Sequence, residues 1–188
     1  IIATGMRGNV YVVDKSEKRL KELHEQFGDK IIPSQSDKID LNKLIAECDL
    51  LIGGVLIPGA EAPKLVTKKM IKSMKRGSVV VDVAIDQGGC VETSKPTTHA
   101  NPTYLVDDVV HYCVANMPGG VPRTSTMALN KATLPLLLKL ADQGYQKTLQ
   151  ENKNYLAGLN VYKGKITYKG VSDAFNLNYS PALELLSN

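Results

Sequence analysis

The sequence predicts an α/β protein built on a doubly wound parallel sheet. Three observations carry that expectation. Short apolar runs of roughly four to seven residues alternate with amphipathic stretches of roughly ten to fourteen, the mark of repeated βαβ units. The runs are apolar nearly throughout, as in VVVDV at 79–83, which suits strands covered on both faces. Crossovers between parallel strands are right-handed almost without exception, so successive units wind helices onto the sheet in a fixed sense.

Residues 9–14 (NVYVVD) read as the first strand. KSEKRLKELHEQFG follows, with Leu20, Leu23 and Phe27 on one helical stripe and Gly28 as the stop. KIIPSQ is a second strand. DLNKLIAEC is a helix with Leu41, Leu44 and Ile45 on one side and Asp40 as its cap. DLLIGGV is a third strand, broken by Gly53-Gly54 and leading into the loop LIPGAEAPKL. Thr67 caps TKKMIKSMK, Gly77 ends it, and VVVDVAID is the fourth strand; HYCVANM is a candidate fifth. After Pro118 the character changes. A long helical region begins with STMAL at 125–129 and runs through TLPLLLKLADQG, where Pro135 should kink or split it, then continues in YQKTLQENKNYLAGL. NVYKGKITYK is expected as a hairpin about Lys163-Gly164, and VSDAFNL as a last helical turn or two.

The 188 residues, 43% hydrophobic and 22% charged, suffice for one domain and part of another. No apolar run reaches the ~18 residues of a membrane span, so no membrane partner is expected. The start, IIATGMRGNVYVVD, has no charged region ahead of a small-residue cleavage site and does not read as a signal peptide. The net charge of +4 is spread along the chain, with no basic block interleaved with aromatics, which argues against nucleic acid. Cys48, Cys90 and Cys113 are odd in number and lack CxxC spacing, and read as free thiols in a reducing cytosol. His24 reads as an exposed helix residue. His99 and His111 are placed to approach a site, but solvated or core roles are the plainer reading, and no metal-ligand spacing accompanies them.

In open α/β sheets, ligands sit beyond the carboxyl ends of the strands. Asp14 closes the first strand, Gly53-Gly54 the third, Asp86 the fourth and Asn116 the fifth. The two glycines would let a flat ligand approach the backbone. Asp14 has two readings: a polar strand exit, or the acid that accepts hydrogen bonds from an adenosine ribose and repels a 2′-phosphate. The second would place a glycine-rich phosphate turn about 20 residues earlier, before residue 1, so the first strand of such a fold is expected to be missing. IIATGMRG would then be the tail of the helix after that turn. Asp82 falls within the fourth strand, where a carboxylate needs hydrogen-bond partners, and a structural role fits it. Asp86 lies past the strand end, where it either closes an ordinary turn or serves a reacting ligand as an orienting or proton-accepting group.

The strings VVVDVAIDQGGCVETSKPTTH, GGVLIPGAEAPKLVT and YCVANMPGGVPRTSTMAL resemble the bacterial alanine dehydrogenase family, and the likeness spans essentially all 188 residues. The resemblance implies a Rossmann-type NAD-binding domain over 1–122, incomplete at its N-terminus. The long helix and the C-terminal part of a split substrate domain would follow over 123–188. The implied activity is reversible, NAD-dependent oxidative deamination of L-alanine to pyruvate and ammonia, in a cytoplasmic homo-hexamer. By the same likeness, Asp14 matches the ribose acid, with Arg19 and Ser36 beside the adenosine and Val55 and Leu56 backing the cofactor. Val83, Ala84, Ile85 and Asp86, with Val114, Ala115, Asn116 and Met117, match the segments around the nicotinamide, and Asp86 matches the catalytic aspartate.

The family's catalytic histidine and its substrate-binding arginine and lysine have no counterpart in these residues. The polypeptide alone is therefore expected to be an inactive fragment. The α-subunit of proton-translocating nicotinamide nucleotide transhydrogenase shares the APKLVT and GSVVVD patterns and is the nearest rival, although Asp86-Gln87-Gly88-Gly89 favours the alanine enzyme. A non-catalytic relative recruited to another role is a second alternative.

Overall fold

The computed structural model describes residues 1–187 of the chain. A short helix α1 (Ile2–Gly5) precedes β1 (Val10–Asp14), α2 (Glu17–Phe27), β2 (Ile31–Gln35), α3 (Leu41–Glu47) and β3 (Leu50–Gly53). Next come α4 (Lys68–Ser73), β4 (Val79–Asp82), β5 (Thr103–Val106) and β6 (Val109–Tyr112). The C-terminal part holds α5 (Pro122–Gln143), α6 (Tyr145–Glu151), α7 (Lys153–Leu156), the hairpin β7 (Val161–Tyr162) and β8 (Lys165–Ile166), then α8 (Lys169–Phe175) and α9 (Ala182–Leu186). Asn188, the last residue of the expected second domain, lies outside the described residues.

The helix starts follow local chemistry. Ser16 Oγ accepts the Arg19 N–H at the head of α2, and Asp40 Oδ1 accepts the N–H groups of Asn42 and Lys43 at the head of α3. Thr67 Oγ1 accepts the Met70 N–H at the head of α4. Each side chain satisfies backbone donors that an isolated helix leaves unpaired.

β1 pairs with β2 in parallel, and a four-stranded sheet runs β3-β4-β6-β5. β1 and β2 stand as the second and third strands of a dinucleotide fold, β3 and β4 as the fourth and fifth. In the order 3-2-1-4-5-6 the first strand lies between the second and the fourth, and no described strand occupies that place. β3, β4 and β6 are mutually parallel, as predicted. β5 is not: it pairs antiparallel with β6 across Asp107 and Asp108, both at positive φ. This turn was missed because VDDVV lacks the usual glycine, and paired aspartates tolerate the left-handed conformation almost as well as asparagine.

Other bounds also differ from expectation. β4 ends at Asp82, not Asp86, because the Asp82 carboxylate accepts the Ala84 N–H and turns Val83–Gln87 into a 3-10 segment. The fifth strand of the sequence reading covers Val109–Tyr112 and stops well short of Asn116, since the following Val114 leaves β4 to bridge Thr97. α5 begins at Pro122, a residue pre-set for a first helical position, and continues unbroken through Pro135. Pro135 removes the donor for the Lys131 carbonyl, but the helix has no buried residue there and water can serve that oxygen. The helix ends at Gly144, with φ 74°. The hairpin about Lys163-Gly164 is present, both residues at positive φ. The core lies under the four-stranded sheet, where Ile45, Val66, Ile71, Met74, Val80 and Val109 pack together.

Candidate active site

The site begins where β4 ends. Asp82 is fully buried, and its two carboxylate oxygens gather N–H groups from both sides of the loop that follows: Ala84 to Oδ1 at 3.1 Å, Cys90 and Val91 to Oδ2 at 3.0 and 3.1 Å. The structural role read for Asp82 is thus met by hydrogen bonds alone. Between the two points the chain runs as the 3-10 segment Val83–Gln87 and turns through Gly88 and Gly89, both in the left-handed region. Ala84 and Ile85 turn inward and are buried, whereas Val83 and Asp86 are exposed.

Asp86 meets the second predicted segment. The Asn116 N–H donates to Asp86 Oδ2 at 3.3 Å. Asn116 holds φ 53°, a left-handed conformation that asparagine accepts more readily than most residues. Thr97 stabilises this turn from the other side, since its N–H donates to the Cys113 carbonyl and its carbonyl accepts the Ala115 N–H. Val114 is fully buried, so it meets a ligand through its backbone if at all, while Ala115 and Asn116 are exposed.

Two residues at this end escaped the sequence reading. His99, left there as a solvated or core residue, donates Nε2–H to the Asn116 carbonyl at 3.1 Å and stands over Gly119. Lys64 reaches from the loop after β3 to donate Nζ–H to the carbonyls of Gly88 and Gly89, the latter at 2.8 Å. Contacts between positions 24 residues apart leave no trace in local spacing. His111, by contrast, is a core residue: its Nδ1–H donates to the Val109 carbonyl, Nε2 accepts from Thr93 Oγ1, and Tyr104 stacks on the ring at 5.1 Å between centroids.

The residues matched to the adenosine end stand at the carboxyl ends of β1 and β2. Asp14 Oδ1 accepts the Ser16 N–H at 2.7 Å, a local turn that aims the carboxylate, and Oδ2 has no hydrogen-bond partner among the described residues. The Ser36 N–H donates to the Asp14 carbonyl at 3.1 Å, which brings Ser36 beside it. Arg19 is held by Glu22 at 2.9 Å on the exposed side of α2. At the end of β3, Gly53 is required for a reason other than a ligand: a Cβ there would come to 2.3 Å from Cys90 Sγ. Gly54 faces open space, Val55 packs on the core and Leu56 is exposed. The structure therefore brings Asp86 together with Asn116, and Asp14 with Ser36. The two pairs stand on different sheets, and no strand pairing among the described residues joins them.

Burial, and next the Asp82 charge, push the Cys90 thiol up to about 11, so it stays protonated at neutral pH. The Tyr104 phenol is likewise pushed up, first by burial and then by its contact with Cys113. Among the described residues no group of three or more His, Cys, Asp or Glu side chains could hold a metal ion.

The family model for the alanine dehydrogenase/PNT C-terminal domain matches residues 1–169. The chain is 55% identical over 185 residues to an alanine dehydrogenase of Halomonas elongata, covering 98% of this chain and 50% of that protein. A solved L-alanine dehydrogenase is similar with a TM-score of 0.79 and 46% identity, covering 93% of this chain and 48% of that one. A transhydrogenase from Sinorhizobium meliloti is similar with a TM-score of 0.61 and 30% identity, covering 74% and 40%. The chain spans about half the length of the curated relatives it matches.

Proposed function

Because the chain belongs to the alanine dehydrogenase/PNT C-terminal domain family, we propose that it is the cofactor-holding part of an enzyme that oxidatively deaminates L-alanine to pyruvate and ammonia, reversibly, with NAD. The observation that carries this reading is the hydrogen bond from the Asn116 N–H to Asp86 Oδ2. It joins two segments far apart in sequence around one exposed carboxylate, beyond the ends of two parallel strands, where ligands of open α/β sheets sit.

The residues fit a dinucleotide. The half-buried Asp14 carboxylate, with one oxygen fixed by Ser16 and the other without a partner among the described residues, suits a ribose diol. Asp14, Ser36 and Arg19 would hold the adenosine end, and Val55 and Leu56 would back the cofactor. The segments at Val83–Asp86 and Val114–Met117 would frame the nicotinamide. NAD, when bound, supplies the hydride acceptor. Asp86, its Oδ2 held by the Asn116 N–H, then helps to orient the amino group or the attacking water. The acid Asp14 disfavours a 2′-phosphate, whereas Arg19, paired with Glu22 on the surface, is a cation beside it that could accept one.

The proposal divides the chain at 122/123 into a dinucleotide-binding part and the C-terminal part of a substrate domain. It also takes the complete protein to be a cytoplasmic homo-hexamer. The transhydrogenase α-subunit is the second reading, favoured by the Sinorhizobium likeness; the Asp86-Gln87-Gly88-Gly89 sequence weighs against it.

The test is an assay of the full-length protein. Alanine with NAD should give NADH and pyruvate in equal amounts, and pyruvate with ammonia should consume NADH. Binding of NADH without turnover of either mixture would leave the binding reading and remove the dehydrogenase.

A further inference from the structure

Among the described residues Asp82 is the only Asp, Glu, Lys or Arg that is buried, with no exposed surface. It forms no ion pair there. A carboxylate in that position is unfavourable unless its oxygens are satisfied, and here the donors are the N–H groups of Ala84, Cys90 and Val91 with the Cys90 thiol at 3.5 Å. Those donors belong to the two ends of one loop. A single side chain thus ties residue 84 to residues 90 and 91, and Asp86 rides between the ties.

The surroundings leave the carboxylate little freedom. A Cβ on Gly89 would come to 2.8 Å from Asp82 Oδ2, and Gly89 holds φ 76°. A Cβ on Gly53 would come to 3.6 Å from Oδ1 and strike Cys90. The ends of β3 and β4 and the returning loop close around this one acid. On the outer side, Lys64 binds the carbonyls of Gly88 and Gly89, and backbone bonds from the Gly88 and Gly89 N–H groups to the Ile85 and Ala84 carbonyls close the turn itself.

We propose that Asp82 is the positioning residue of the site: its carboxylate fixes the 83–91 loop and through it the place of Asp86 against Asn116. The inference rests on the alanine-oxidation reading for its kinetic consequence, while its structural half stands on the loop alone. Asp82→Asn keeps the shape but sets an NH2 group against a backbone N–H, so one tie is lost.

Three versions of the full-length protein test this: Asp82→Asn, Asp86→Asn and the double variant. In Asp82→Asn, kcat for alanine should fall about 100-fold, with the NADH dissociation constant within about threefold of the parent. If Asp82 acts through Asp86, the double variant is no slower than Asp86→Asn alone, to within about twofold. Losses that multiply in the double variant would make Asp82 a general structural residue and overturn the proposal. A second readout does not depend on turnover. The Asn116 amide should lose hydrogen-exchange protection in Asp82→Asn as far as it does in Asp86→Ala, which removes its acceptor, with exchange in α2 and β2 unchanged. An Asn116 amide as protected as in the parent overturns it. Should the parent fail to oxidise alanine, the functional reading falls, and the exchange comparison still decides the role of Asp82. If Asp82→Asn does not fold, Gly89→Ala, which crowds Oδ2 while keeping the charge, carries the same comparisons with the same deciding outcomes.

Discussion

On the proposed function, Asp14 is the carboxylate that would set cofactor choice. Its Oδ1 is used by Ser16, and Oδ2 would serve the ribose. Hydrogen bonds to a charged group contribute about 1.5 to 3 kcal/mol, or about 10- to 100-fold in affinity. Asp14→Ser keeps an oxygen for the Ser16 N–H and removes the charge. NADH should then bind at least about tenfold more weakly, and its preference over NADPH should shrink; titration of cofactor fluorescence checks both, and an unchanged preference would take Asp14 out of the ribose site. Cys90 gives a pH signature. Its thiol is raised from 9.0 to about 11 in the fold, so between those values the unfolded chain has released a proton that the folded chain still holds. Stability must fall as pH rises from about 9 through about 11. Cys90→Ser removes this slope, a difference of about 2 to 3 kcal/mol by pH 11. Unfolding curves of parent and variant that run parallel across this range would contradict the assignment.

At the scale of elements, the caps were legible because they act within three residues. Asp40 accepts two backbone donors at the start of α3, and Asp40→Ala should cost about 1 kcal/mol, measured as a lower denaturant midpoint with unchanged slope. The β5–β6 hairpin and the continuity of α5 through Pro135 were not legible. The hairpin depends on two aspartates at positive φ, a conformation that composition does not announce. The continuity shows that one proline, which removes only the donor for the Lys131 carbonyl, does not interrupt a 22-residue helix. Asp82 marks the same boundary: an acid in an apolar run signals that donors surround it, but it does not say which donors. They come from residues eight and nine positions ahead, across a loop whose path no periodicity describes.

For the molecule as a whole, exposed apolar surface is concentrated on α5, where Met127, Leu129, Leu136, Leu137 and Leu138 are each more than half exposed. The C-terminal part is not detached, since the Tyr168 ring packs on the backbone at Gly59 and Gly170. A helix with apolar residues on all sides is ordinarily buried. The 188-residue chain made by itself should therefore bind a hydrophobic dye and associate without a defined size, whereas the full-length protein should bind no dye and assemble only to the proposed hexamer. A monomeric, dye-negative fragment in sedimentation and fluorescence measurements would mean that α5 repacks on its own chain.

The alternation of strands and helices up to β4, the parallel core and the acid that closes β1 follow from the sequence, because each rests on side-chain period or on chemistry within a few residues. Only the tertiary structure decided that β5 returns antiparallel beside β6, that His99 and Lys64 attend the site, and that Asn116 holds Asp86. The site contacts are pairings between segments distant along the chain. Which partners meet is set by how the layers pack, and local patterns carry no record of it.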